Sequence, residues 1–458
     1  MAFISFGKCK KKNIYIIISI ILSYLIFQTE YYSEFYFDCK GYNSPRLFSL
    51  YFSFSFFGSL LTGLILFFLI EYNNKKSKED ENKNCDKRDN IKEHKKEIKN
   101  KKKIYIPLLY EENINQINVP IKYLILSSFL ELISNFSFYS IALDFLDIET
   151  KMLFNGFEII IIKIIGKCIY KNQLYKHQII SIVILLIILI IGILIREGYL
   201  QKIINNKIII NETIGEYIKN IAKKKITSQI YFFCFIFIFL GNIANSFSVW
   251  FDNWLMNVKL CNPHKLLFFK GLFGFIPAFT IQFILYYFIG EKNKLEKNDE
   301  INIISILKNA SFPFSSFKSI INIMIIFIFF ILISFYQFSI TYTNNKFQPD
   351  FVGFVIIFSS GLSIISNEIL NIFISHSSAK ILYIIPLSFF IISLITSLII
   401  CEIIILHFCG CDKNTASNID IRATLESVSS FQNYIDNEIK EEEKINIDDL
   451  SNVSEEKY

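Results

Sequence analysis

Gln178-Ile-Ile-Ser-Ile-Val-Ile-Leu-Leu-Ile-Ile-Leu-Ile-Ile-Gly-Ile-Leu-Ile195 carries no charged residue. A helix rises about 1.5 Å per residue and a bilayer core is ~30 Å thick, so this stretch reads as a membrane span. Nine further runs of similar character lie at 14–28, 47–70, 121–143, 152–170, 228–250, 266–289, 319–341, 351–374 and 381–408. The 458-residue chain is 52% hydrophobic and 16% aromatic although it also holds two highly charged tracts, a balance an ordinary soluble domain does not reach. The expected fold is therefore all-α and integral to a membrane, with ten transmembrane helices. Ten is also two times five, and because five is odd the two halves would enter the bilayer from opposite sides, as an inverted repeat of two five-helix halves.

Charge supplies an orientation. Residues 1–13 hold four Lys and no acid, residues 71–103 hold 13 Lys/Arg against eight Asp/Glu, and residues 409–458 hold five against twelve. The net charge of +6 thus sums unlike parts and does not describe a basic surface for nucleic acid. The positive-inside rule places residues 1–13, the loop 71–120 and the tail 409–458 in the cytosol. Helices 1–2 then occupy 14–70, helices 3–5 occupy 121–195, a lumenal loop spans 196–227, and helices 6–10 occupy 228–408. The lysine-rich loop and the acidic tail have no apolar face to bury and are expected to be disordered. The first run, flanked by Lys8–Lys12, lacks a small-x-small site after Phe27 and reads as an uncleaved signal anchor. Two sequons, at Asn211 and Asn309, fall on the lumenal side and are the glycosylation candidates.

Polar residues inside the spans are the candidates for function. An ionised side chain near the bilayer midplane costs at least ~2.5–3.5 kcal/mol on insertion scales, so it faces the bundle interior or a watered cavity. Asn155, Glu158 and Lys163 in helix four, Glu131 in helix three and Gln337 in helix eight are assigned to a substrate cavity. Asn242, Asn245 and Glu368 are further candidates for that lining or for bridges between helices. At 100° per residue Asn155 and Glu158 share a face, whereas Lys163 lies about 140° from Glu158. Lys163, a cation unpaired on its own helix, argues for an anionic cargo. The serines of helix nine (Ser359, Ser360, Ser363, Ser366) point to close helix packing.

Other chemistries lack their residues. The five His are spread singly, no pair of Cys-x2-Cys units occurs, and neither a Walker A loop nor a Gly-x-Ser-x-Gly elbow is found. No metal, no cofactor and no enzymatic activity are expected. Cys409 and Cys411, just past the last run, are either plain thiols or a palmitoylation pair.

Asp252-Asn253, Asn262-Pro263 and Lys270-Gly-Leu-Phe-Gly-Phe275 form one ordered set at the junction of helices six and seven. The set resembles the drug/metabolite transporter superfamily in its nucleotide-sugar-transporter-like branch, solute carrier family 35, which reads acidic-acidic, a short connection with Pro, and Glu-Gly-Leu-Phe-Gly-Phe there. Ile106-Pro-Leu-Leu-Tyr110 resembles its Asn-Pro-Leu-Leu-Phe, and the stretch from Ile141-Ala-Leu143 through Gly156 to Leu174 and Gln178 follows it as well. Phe335-Tyr-Gln-Phe338 is similar to a Phe-Phe-Asn-Phe element. Asn155 stands where the family usually has Arg, and Lys270 where it has Glu. The resemblance implies that Asp252, Pro263, Gly271 and Gly274 are architectural, with Asp252 bracing a helix connection, and that Asn155 faces the cavity.

The expectation is a secondary carrier of a small polar or anionic metabolite, working by alternating access in an endomembrane such as Golgi, endoplasmic reticulum or a lysosome-like vacuole. Its partners would be the bilayer, the small-molecule substrate and coupled protons taken up by Glu158. The alternative is a non-transporting receptor or scaffold whose working parts are the basic loop and acidic tail.

Overall fold

The computed structural model describes residues 4–6, 14–39, 47–88, 119–136, 148–170, 174–204, 228–289, 311–374 and 380–406. Among them ten α-helices follow the ten apolar runs: α1 (Ile14–Cys39), α2 (Leu47–Arg88), α3 (Ile121–Asn135), α4 (Ile148–Cys168), α5 (Lys176–Ile204), α6 (Ser228–Asn257), α7 (Pro263–Ile289), α8 (Ile320–Lys346), α9 (Asp350–Ile374) and α10 (Lys380–Ile400). Five of them contain segments long and apolar enough to cross a membrane: Ser49–Ile70, Lys176–Ile195, Cys234–Asn257, Pro263–Phe288 and Ile320–Lys346. Shorter apolar stretches lie in α1, α9 and α10. The chain is thus helical in the manner of a multi-pass membrane protein. The one exception to helix is a three-residue antiparallel ladder between β1 (Ile4–Phe6) and β2 (Ile404–Leu406), which brings the two ends of the described chain to one side.

α5 shows why these helices suit a bilayer. Gln178, Ser181, Leu185 and Leu189 are buried on one face, while Ile184, Ile187, Ile191 and Leu194 are exposed on the other. In water such an apolar outer stripe is unfavourable by about 25 cal/mol per Å², and against acyl chains that penalty vanishes.

Several boundaries differ from expectation: α1 runs to Cys39 rather than 28, α6 to Asn257 rather than 250, and α5 to Ile204, so the start of the expected 196–227 lumenal loop is helical. α2 continues beyond Ile70 to Arg88, so the first part of the expected 71–120 loop is helical. Its Lys and Glu residues are good helix formers, and a helix leaving a bilayer needs no apolar face to propagate. α10 ends at Ile400 rather than 408, where Glu402 takes a left-handed φ of 57° and turns the chain into β2.

α1 packs against α8 and α9, and α6 packs against α3 and α4. α2 packs against α7 and α8, α3 against α7, α4 against α5 and α9, and α10 against α5 and α9. The main apolar core gathers Ile159 and Ile162 of α4, Leu185 and Leu189 of α5, Ile238 of α6 and Val355 of α9. Gly271 permits the close α2–α7 crossing, because a Cβ there would collide with the backbone of Leu60. The serines of α9 line a polar seam with α1: Ser23 and Ser359 hydroxyls are 2.8 Å apart, Gln28 Nε2 donates to Ser363 Oγ at 3.0 Å, and the Tyr24 and Ser366 hydroxyls meet at 2.9 Å. Small hydroxyl side chains satisfy one another there and let the helix backbones approach.

Candidate functional site

A cavity of about 110 Å³ lies inside the bundle, lined by residues of every helix except α5 and α10. Glu131, Asn155, Glu158 and Gln337 all reach it, as do Asn242 and Asn245. Each of the four is buried, Glu158 to 3% and Gln337 to 7% exposure. A water's share of liquid volume is about 30 Å³, so the space suits a few waters or one small ligand.

Glu158 is positioned by a regular seam between α4 and α6. Asn242 Nδ2 donates to the Phe154 carbonyl at 3.0 Å, Ser246 Oγ to the Glu158 carbonyl at 3.4 Å, and Trp250 Nε1 to the Ile162 carbonyl at 2.7 Å. Donors and acceptors each advance by four residues, so successive rungs stack along one face of both helices. Within this seam Asn245 Nδ2 donates to Glu158 Oε1 at 2.6 Å. No cation pairs with Glu158 among the described residues, and its second oxygen has no partner there. Asn155 faces the other way along the rim and donates from Nδ2 to Ser360 Oγ at 3.0 Å, tying α4 to α9. Gln337 makes no side-chain hydrogen bond among the described residues, so its amide is left to the cavity.

At the cavity's edge Lys270 Nζ lies 2.5 Å from Asp252 Oδ2 and 2.6 Å from Glu131 Oε2, with Ser248 Oγ at 3.4 Å. Ser127 Oγ donates to the other Asp252 oxygen, and Asn135 Nδ2 reaches toward Glu131 Oε1 at 3.5 Å. Ser128 Oγ closes the group by donating to the Lys270 carbonyl at 3.0 Å. One ammonium therefore holds carboxylates from α3 and α6 to α7, and Lys270 spends its charge on its own neighbours. Asp252 does more than brace a connection: it lines the cavity as well.

Lys163 is not in the cavity, contrary to its assignment there. Its Nζ lies 2.5 Å from Asp350 Oδ2, in the first turn of α9. The helical offset from Glu158 turns it toward α9 instead of the interior. Nearby, Cys401 Sγ approaches the Asp350 carbonyl at 3.7 Å, and His177 Nε2 sits 3.4 Å from Glu402 Oε1. This second cluster ties α4, α5, α9 and the end of α10. With Asp350 as counter-ion, Lys163 offers no free positive charge to an anionic cargo.

Pro263 opens α7, where its missing N–H has no intrahelical partner to lose. A Cβ on Gly274 would collide with the Phe56 ring, so Gly274, like Gly271, admits α2. Asn211, Asn309, residues 89–118 and the tail from 407 lie outside the described residues, and so do the side chain of Glu368 and the stretches 106–110 and 141–143. In the sequence Lys270 is no more than a departure from a family pattern. Its place inside the 266–289 run was the signal for a cavity charge. Asp350 sits between two runs and carried no such signal. Among the described residues no group of three His, Cys, Asp or Glu side chains converges as a metal site. The sequence matches no model of a known family, and no curated protein matches it either.

Proposed function

We propose that the chain is a secondary carrier that moves a small polar solute across an endomembrane by alternating access, with all ten helices spanning and both ends of the chain on the cytosolic side. The observation that carries this reading is the cavity inside the bundle, with charged and amide side chains on its wall. Burying so many charges and amides between helices whose outer faces are apolar is unfavourable unless a hydrophilic guest or water shares the space.

The helix contacts support an inverted repeat. When each helix is exchanged with the one five places along, α1–α8 becomes α6–α3, α1–α9 becomes α6–α4, α2–α8 becomes α7–α3 and α4–α5 becomes α9–α10, and every one of these contacts is present. The pairs α2–α7, α4–α9 and α5–α10 map onto themselves. The smaller α6–α8, α8–α9 and α4–α10 contacts have no counterpart of like size, so the exchange holds for the larger interfaces, and halves related in that way can rock about a shared midplane site. The ladder joining β1 to β2 agrees with an even number of crossings.

Glu158 is the residue through which coupled protons would act. Purified protein in liposomes, assayed by counterflow over amino acids, nucleotide sugars, small peptides and amines, should show saturable exchange of at least one class. Glu158→Gln should flatten the pH dependence of that exchange while the protein stays folded. Absence of exchange for every class, with deletion of the basic loop or acidic tail abolishing cellular function, would favour the scaffold instead.

A further inference from the structure

We infer that the cavity is built for a small organic cation, a primary ammonium with a short apolar tail, whose charge is taken by Glu158 and whose N–H is oriented by Gln337.

The lining holds three carboxylates, Glu131, Asp252 and Glu158, against one ammonium, Lys270. Lys270 is committed to Asp252 and Glu131, and Lys163 is held by Asp350 outside the lining. Glu158 thus keeps a carboxylate oxygen with no cationic partner among the described residues. An anion entering this space would meet an excess of like charge, whereas a cation supplies the missing counter-charge.

Gln337 opens on the same cavity. Its side chain is 7% exposed, lines the cavity and has no hydrogen-bond partner among the described residues. An amide that opens on the cavity with no protein partner among the described residues is free to accept a ligand N–H at its carbonyl oxygen. Phe27, Ile340, Val352 and Ile356 supply the apolar part of the wall. That wall favours an alkylammonium over a metal ion, because two of the three lining carboxylates are held by Lys270 and, among the described residues, no three His, Cys, Asp or Glu side chains converge as metal ligands. The volume of about 110 Å³ accommodates a guest of a few heavy atoms.

That the cation is a transported solute rests on the carrier reading, so binding is measured separately from transport. The full chain, purified in detergent, is titrated with ethylammonium, ethanol, acetate, inorganic phosphate and sodium at constant ionic strength, with thermal stabilisation as the readout. Ethylammonium should stabilise saturably while neutral ethanol and the two anions do not. Glu158→Gln should weaken ethylammonium at least about tenfold and Gln337→Leu about threefold, magnitudes in keeping with loss of a charged and of a neutral hydrogen bond. Stabilisation by acetate or phosphate but not ethylammonium would overturn the inference, as would equal response to sodium. Unchanged ethylammonium affinity in folded Glu158→Gln would overturn it too. Should that variant fail to fold, the wild-type contrast between ethylammonium and ethanol decides the matter alone. Ethylammonium binding without counterflow in liposomes would leave the site intact and remove the carrier reading. Counterflow of another solute without ethylammonium binding would do the reverse.

Discussion

Lys163 and Lys270 are both lysines buried in the middle of an apolar bundle, yet they occupy opposite situations. Lys163 meets a single carboxylate, Asp350, in a packed corner where four helices join. Lys270 meets two, Asp252 and Glu131, on the wall of a cavity. A one-to-one pair in a closed corner is an element of architecture, because neither charge has anywhere else to turn. An unbalanced group that opens on a cavity leaves negative charge available to a third party. Position relative to the cavity, more than residue type, separates a lysine closed in a corner from one on a cavity wall.

The strongest way to break this comparison is to remove each lysine in turn. Lys163→Met strands Asp350 in a dry corner, and loss of one partner of a buried pair costs about 3–5 kcal/mol. Its unfolding midpoint in mild detergent should fall sharply, and adding Asp350→Leu should restore most of it. Lys270→Met should cost less, about 1–3 kcal/mol, because its carboxylates front a cavity that can admit water or a cation. Equal losses for the two variants would mean that the cavity wall is as closed as the corner.

Gly271→Val tests the frame that sets Lys270 in place. Its side chain would meet Leu60 of α2, and overpacking at a tight crossing costs about 1–3 kcal/mol. The variant should reduce thermal stability and ethylammonium binding together, since displacing α7 carries Lys270 with it.

Thiol reactivity sharpens the contrast between closed and open regions. Cys261, in the connection between α6 and α7, is buried, and that burial pushes its thiol up to about 11, against the opposing charge of Lys265 and with a further upward push from Asp252. Alkylation requires thiolate, so the neutral form that persists below that pH should leave Cys261 slow to react with maleimide at neutral pH and faster as pH rises. Cys168, exposed at the end of α4, should react at least about tenfold sooner in variants that keep one of these cysteines at a time. Comparable rates would show that the α6–α7 connection is open.

The smallest expected effect is Trp250→Phe, which removes the 2.7 Å bond to the Ile162 carbonyl and leaves the remaining rungs of the α4–α6 seam. About 1 kcal/mol of stability should be lost, with ethylammonium binding little changed.

Much of the site was legible because the membrane makes buried polarity conspicuous. Glu131, Asn155, Glu158 and Gln337 stand out in apolar runs, and hydrocarbon penalises every such residue unless it turns inward. Lys163 stood out by the same rule and was misassigned, because the rule says that a charge turns inward and not toward which neighbour. Its counter-ion is 187 positions further along, in a connection whose polarity is unremarkable in sequence. Asn245 and Lys270 were each visible alone, but their pairing with Glu158 and with Glu131 needed the bundle.

The sequence by itself determined the helical class, the apolar runs and the short list of polar exceptions, because a span's length and its avoidance of charge are local properties. Only the tertiary structure decided which exceptions share a cavity, which lysine is neutralised elsewhere, and that the 52% apolar chain encloses an acidic interior. Those outcomes depend on which helix faces which, and Coulomb interaction falls with distance in space, not along the chain.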